Sequence, residues 1–147
     1  MAKQGGFTYL GLLFAVALAG VALAATGVVW SVERQREREA ELLFVGEQFR
    51  DAIASYYERS PGLVKRYPAK LEDLLKDDRF PNVQRHLRQI YADPVRGKRE
   101  WGIVPAPEGG IMGVFSLATA KPIKQAGFAP QLAGLENKRR YADWQFV

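Results

Sequence analysis

From Phe7 to Trp30 the chain runs for 24 residues without a charged side chain, directly behind the opening Met1-Ala2-Lys3-Gln4-Gly5-Gly6. At about 1.5 Å rise per residue such a run makes a helix of roughly 36 Å, enough to cross a hydrocarbon core of about 30 Å. No other stretch of the sequence is apolar for that length. The expectation is one membrane span, residues 7–32, with the remaining mass on one side. A secretory signal would have a shorter apolar core, about 7–15 residues, closed by a small-x-small cleavage site. Ala22-Leu23-Ala24 has that form, but more apolar chain follows it. The run reads as an anchor.

It is an anchor rich in small residues, among them Gly11, Ala15, Ala19, Gly20, Ala24 and Gly27. Small side chains let helix backbones approach closely, which is how spans associate where lipid offers no hydrophobic drive between them. Ala and Gly are also common in spans generally. The reading adopted is helix–helix packing through these six positions.

Gly6-Phe7-Thr8-Tyr9-Leu10, followed by the long Ala/Leu/Val run and then a charged helix, resembles the start of type IV pilin-like proteins. It is most similar to the pseudopilins of type II secretion systems. The resemblance implies that residues 1–6 are a leader, its positive charge supplied by Lys3. It also implies that a prepilin peptidase cuts after Gly6 and methylates the new terminal Phe7. Family members usually carry a glutamate four residues after the new terminus, thought to pair with the terminal amine of a neighbouring subunit. This chain has Gly11 there. An unpaired charge in lipid is costly, so the departure implies a minor or tip-associated subunit over a bulk one.

At 147 residues with 16 acidic and 21 basic side chains, the chain has room for one compact domain beyond the span. There is no Cys, so disulfides contribute nothing and the compartment is not marked by them. No Gly or Pro separates Trp30 from Ser31-Val32-Glu33-Arg34, so the helix is expected to continue into water over residues 33–60. Opposite charges three apart, Glu33 with Arg36 and Arg36 with Glu39, are expected to pair on it. Leu42, Val45, Phe49, Ala52, Ile53 and Tyr56 recur at three- and four-residue spacing, an apolar stripe that should bury against a head. Ser60-Pro61-Gly62 should end the helix.

Residues 61–147 are read as that head. Pro68 with Leu71, Leu74 and Leu75 predicts one short helix, and Val83 to Ile90 a second. Asp93-Pro94-Val95-Arg96-Gly97-Lys98 predicts a turn. Trp101–Val104 and Ile111–Ser116 predict a hairpin across Pro105–Gly110, with Trp144–Val147 as a last strand and Tyr141 a candidate for its start. The fold class is α+β: a pilin-like long helix, first half transmembrane, packed on a small head with short helices and an antiparallel sheet. This order also resembles pseudopilin heads over residues 67–116. The stretch 118–140 matches less well. Where several family members bind calcium, this chain has Lys121 and Lys124 in place of carboxylates. Glu136 and Asp143 are too few for an ion that prefers six to eight oxygens, and no metal is expected.

With His86 the single histidine and no Cys, residue count is read as ruling out Cys/His pairs, His-rich zinc sites and Ser-His-Asp triads. His86, between Arg85 and Arg88, is expected to be exposed, and Asp77 and Asp78 to cap or solvate a helix end. Gly109-Gly110-Ile111-Met112-Gly113 lacks the Lys and Ser/Thr of a phosphate loop. The chain is read as a non-enzyme with no catalytic residues, no cofactor and no small-molecule ligand.

Three functions are carried. The first is a pseudopilin-like structural subunit in the bacterial inner membrane, single-pass, head in the periplasm. Its partners would be other pseudopilins or pilins, the prepilin peptidase and an inner-membrane assembly platform. The second is a DNA-uptake minor pilin, with Arg85, Arg88, Arg96, Lys98, Arg99, Lys138, Arg139 and Arg140 as candidate phosphate contacts; the first reading expects no nucleic acid. The third is an unrelated single-span protein with a cytosolic domain. The positive-inside rule favours the third, because Arg34, Arg36, Arg38 and Arg50 outweigh Lys3 across the span. The periplasmic placement rests on the leader resemblance.

Overall fold

The computed structural model describes residues 5–147, with backbone alone at residues 5, 6, 25 and 26. Met1–Gln4, Lys3 included, lie outside the described residues. One α-helix, α1, spans Gly5–Glu58. The chain divides into two compact units, one ending at Gln35 and one formed by Arg36–Val147.

In the first unit every described side chain from Phe7 to Arg34 is exposed. Helix α1 is long and apolar enough here to cross a membrane. The architecture is α+β: this long helix, then short 3-10 turns and a small antiparallel sheet.

The second unit is organised by the part of α1 that runs through it. Leu42, Val45, Phe49, Ala52, Ile53 and Tyr56 are all buried, since their spacing puts them on one side of a 3.6-residue helix. Phe49 meets Trp101 at a ring separation of 5.0 Å and Tyr91 edge-on at 6.3 Å. Gly46 lies on the same side. A Cβ there would collide with the ring of Phe146, so the helix approaches the sheet as closely as it does because this residue has no side chain.

The sheet has three strands in the order β1 (Gly102–Pro105), β2 (Ile111–Phe115) and β3 (Gln145–Phe146), antiparallel throughout. Pairing runs from Gly102 with Phe115 to Pro105 with Ile111, with an irregularity between Val104 and Pro105. Val114 pairs with Phe146 across β2 and β3. The β1–β2 connection closes with Gly109 N–H donating to Ala106 O and Ala106 N–H to Gly110 O. Gly109 and Gly110 both take positive φ, which an L side chain adopts only with strain. Asp93 fixes the turn ahead of β1: its Oδ1 accepts from Val95 N–H and its Oδ2 from Ser116 Oγ at 2.6 Å.

Two expectations are corrected. The helix predicted over Val83–Ile90 does not form. His86 and Leu87 N–H both donate to Leu74 O at 2.9 Å, and Asp77 N–H donates to Gln84 O. Leu87 N–H and Gln84 O are thereby committed to partners outside the segment, so an i−4 ladder over 83–90 cannot use them. The remaining short helices are 3-10 turns at Leu71–Leu74, Pro130–Leu135 and Tyr141–Asp143, the last replacing the expected start of β3.

Phe49 is fully buried between helix and sheet. Phe49→Ala should therefore lower stability by about 3–5 kcal/mol, the range for emptying a large aromatic site. A chemical-denaturation curve of the full chain in detergent, compared with the parent, measures the loss.

Candidate functional site

The first unit offers surface in place of a cavity. Gly11, Ala15 and Ala19 follow one four-residue row, while Gly20, Ala24 and Gly27 lie roughly 150° round the helix at 3.6 residues per turn. The six positions thus form two faces. A Cβ at Gly11, Gly20 or Gly27 would meet nothing within 4 Å, so no contact inside the chain requires a glycine at any of them. Around Gly11 the exposed side chains of Phe7, Leu10, Leu13 and Phe14 frame an apolar hollow of about 530 Å³. Gly6 has described backbone only.

The second unit contains a polar cluster that the sequence reading did not assemble. Ser55, near the carboxyl end of α1, lies with its Oγ 2.9 Å from His86 Nδ1, and His86 Nε2 is 3.2 Å from Asp77 Oδ2. Asp77 accepts only, so Nε2 carries the hydrogen toward it and Ser55 donates to Nδ1. Arg79 donates from Nε to Asp77 Oδ1 at 2.8 Å and from Nη2 to Oδ2 at 2.7 Å. It also reaches Ser60 Oγ and Tyr56 O, each at 2.8 Å, while its guanidinium stacks 3.5 Å over the Tyr56 ring.

Three expectations fall here. The His86 side chain is buried, at 1% exposure, because its backbone is drawn to Leu74 and its ring edge packs on Tyr56. Asp77 is buried as well, so it does not solvate a helix end; Asp78 pairs at the surface with Lys76. A single histidine is also enough for a Ser-His-Asp constellation, and this chain builds one. An oxyanion needs preorganised donors, whereas Ser55 sits at the end of α1 where the helix presents carbonyl oxygens and partial negative charge. Arg79 engages both oxygens of Asp77, leaving the carboxylate less able to support an imidazolium. The geometry is that of a fastener between α1 and the segment 77–86.

The electrostatics agree. The bidentate bond from Arg79 holds the Asp77 carboxyl down to about 2 from 3.8, and raises the Arg79 guanidinium in return. Burial pushes the Tyr56 phenol up. Asp143 is also lowered by its hydrogen bond from Arg140.

Glu39 is another buried acid, besides Asp77 and Asp93. Instead of pairing with Arg36, it accepts from Tyr141 Oη at 2.7 Å, from Lys124 N–H at 3.1 Å and from Ile123 N–H. The signal was present in the sequence. Glu39 stands three residues before Leu42 and seven before Gly46, on the buried side of α1, where a carboxylate must find donors.

Among the described residues no group of three or more His, Cys, Asp or Glu is placed to hold a metal. Of the basic candidates for phosphate contact, Arg96 pairs with Glu100 and Arg140 with Asp143.

No family model, curated protein or solved structure matches this chain.

Because the Asp77 carboxyl is lowered in the folded state, its contribution is present above about pH 4 and is lost as pH falls through about 2. A depression from 3.8 to about 2 corresponds to about 2 kcal/mol. Asp77→Asn should lower stability by at least that amount at pH 7, with the gap closing between pH 4 and 2. Denaturation curves of both chains across that range measure it.

Proposed function

We propose that this chain is a pilin-like structural subunit: a membrane-anchored protein that packs through its apolar helix beside neighbouring subunits of a secretion or pilus-type machine. The observation that carries the reading is the division of labour along one helix. From Phe7 to Arg34 its described side chains are exposed, and from Leu42 to Tyr56 it supplies the buried stripe of a small α+β unit. A soluble protein has no use for the first part, and an ordinary anchor does not need the second to continue it without a break.

Further support comes from the small residues. Their openness on two faces of the first unit suits spans that pack on two sides at once. Gly11 leaves that position without a carboxylate to meet the amine of Phe7 in a neighbour, which favours a subunit present in few copies. The Ser55–His86–Asp77 cluster serves in this reading as a structural fastener, and the function is mechanical. The head belongs in the periplasm on the strength of the leader resemblance, against the charge bias.

Coexpression with a prepilin peptidase tests the proposal. Intact mass should give a chain that begins at a methylated Phe7, and a reporter fused after Val147 should be active only in the periplasm. A chain retaining Met1 or Ala2, with a reporter active in the cytosol, would favour the unrelated single-span protein.

A further inference from the structure

On the first unit Leu23, Gly27, Trp30, Ser31 and Arg34 border a shallow, open groove of about 430 Å³ along one side of the exposed helix. Their spacing of three and four residues keeps them on one side of α1, and the groove is amphipathic along its length. Leu23 and the notch at Gly27, where a Cβ would meet nothing within 4 Å, form the apolar end. Trp30, 65% exposed, stands between the ends. Arg34 closes the other end, exposed and without an ion pair among the described residues. The Ser31 hydroxyl donates to Val28 O at 2.8 Å, which leaves the guanidinium and the indole N–H as donors to an outside group.

From Leu23 to Arg34 the helix rises roughly 16 Å, close to one leaflet of a hydrocarbon core of about 30 Å. Tryptophan favours the membrane–water boundary, and Arg34 follows it by one helical turn. The groove therefore has the length, polarity and charge order of a single phospholipid standing in its leaflet.

We propose that this groove holds one anionic phospholipid, its phosphate on Arg34, its glycerol region against Trp30 and an acyl chain in the notch at Gly27. The inference rests on the membrane anchoring proposed above and deepens it by naming a lipid partner. The complementary charge is that of Arg34, and the Gly27 notch admits a chain that any larger side chain would displace.

The test uses the full chain reconstituted into phosphatidylcholine vesicles carrying increasing fractions of phosphatidylglycerol, with brominated acyl chains on one lipid or the other. Trp101 and Trp144 are buried in the second unit, and a Trp30→Phe variant supplies their background. Brominated phosphatidylglycerol should quench Trp30 with an apparent affinity about five-fold above brominated phosphatidylcholine, as one cation near a membrane surface provides. Arg34→Gln should bring that ratio to about one, and Gly27→Leu should weaken quenching by both lipids.

Failure of the chain to float with vesicles would defeat the anchoring and this inference together. A floating chain whose Trp30 is quenched equally by both lipids would overturn the lipid site alone, as would a preference that survives Arg34→Gln. Trp30 shielded from both lipids, with crosslinks forming between copies at position 27, would assign the groove to a second span instead.

Discussion

The close approach of α1 to Phe146 at Gly46 is the contact on which the second unit depends. Strand β3 is only two residues long and pairs with β2 alone, too little to hold itself in place. Its ring is instead held between the helix backbone and the core around it. The same closeness lets Phe49 reach Trp101 and Tyr91 across the interface. A larger residue at position 46 would lift the helix off the sheet and loosen all of these contacts together.

Around that apolar contact, three buried carboxylates tie down the irregular chain. Asp77 joins the end of α1 to segment 77–86, Asp93 joins the turn before β1 to Ser116, and Glu39 fixes the loop at Ile123 and Lys124 beside Tyr141. Each meets donors of a different kind: a guanidinium with an imidazole, backbone amides with a hydroxyl, and amides with a phenol. A unit with so little regular structure has few ladder hydrogen bonds to satisfy its loops. These acids take up part of that role.

What could be read from the sequence was whatever repeats locally. The apolar run, the three- and four-residue spacing of Leu42 through Tyr56, and the Gly-rich hairpin all carry their period or turn chemistry within a few residues, and the α+β class followed from them. The segment 83–90 was misread because its backbone donors go to Leu74, a partner that no local pattern announces. His86 was misplaced for the same reason, since the residues beside it are basic while its ring faces Tyr56 and Asp77. Glu39 was legible in principle as an acid on an apolar stripe, but the nearby Arg36 offered an easier partner. Residues Met1–Gln4 lie outside the described residues, so the reading of residues 1–6 as a leader rests on resemblance alone.

The bond between Tyr141 and Glu39 joins residues 102 positions apart, and Gly46 and Phe146 are separated almost as far. Such contacts form only after the intervening chain exists, and at about 5–20 residues per second its synthesis takes on the order of 5–20 s. The apolar helix emerges first and is complete well before the core of the second unit can close. Nascent chains therefore pass through an interval with a finished hydrophobic segment and an unfolded remainder. In that interval whatever receives the helix acts before any folded mass is there to hinder it.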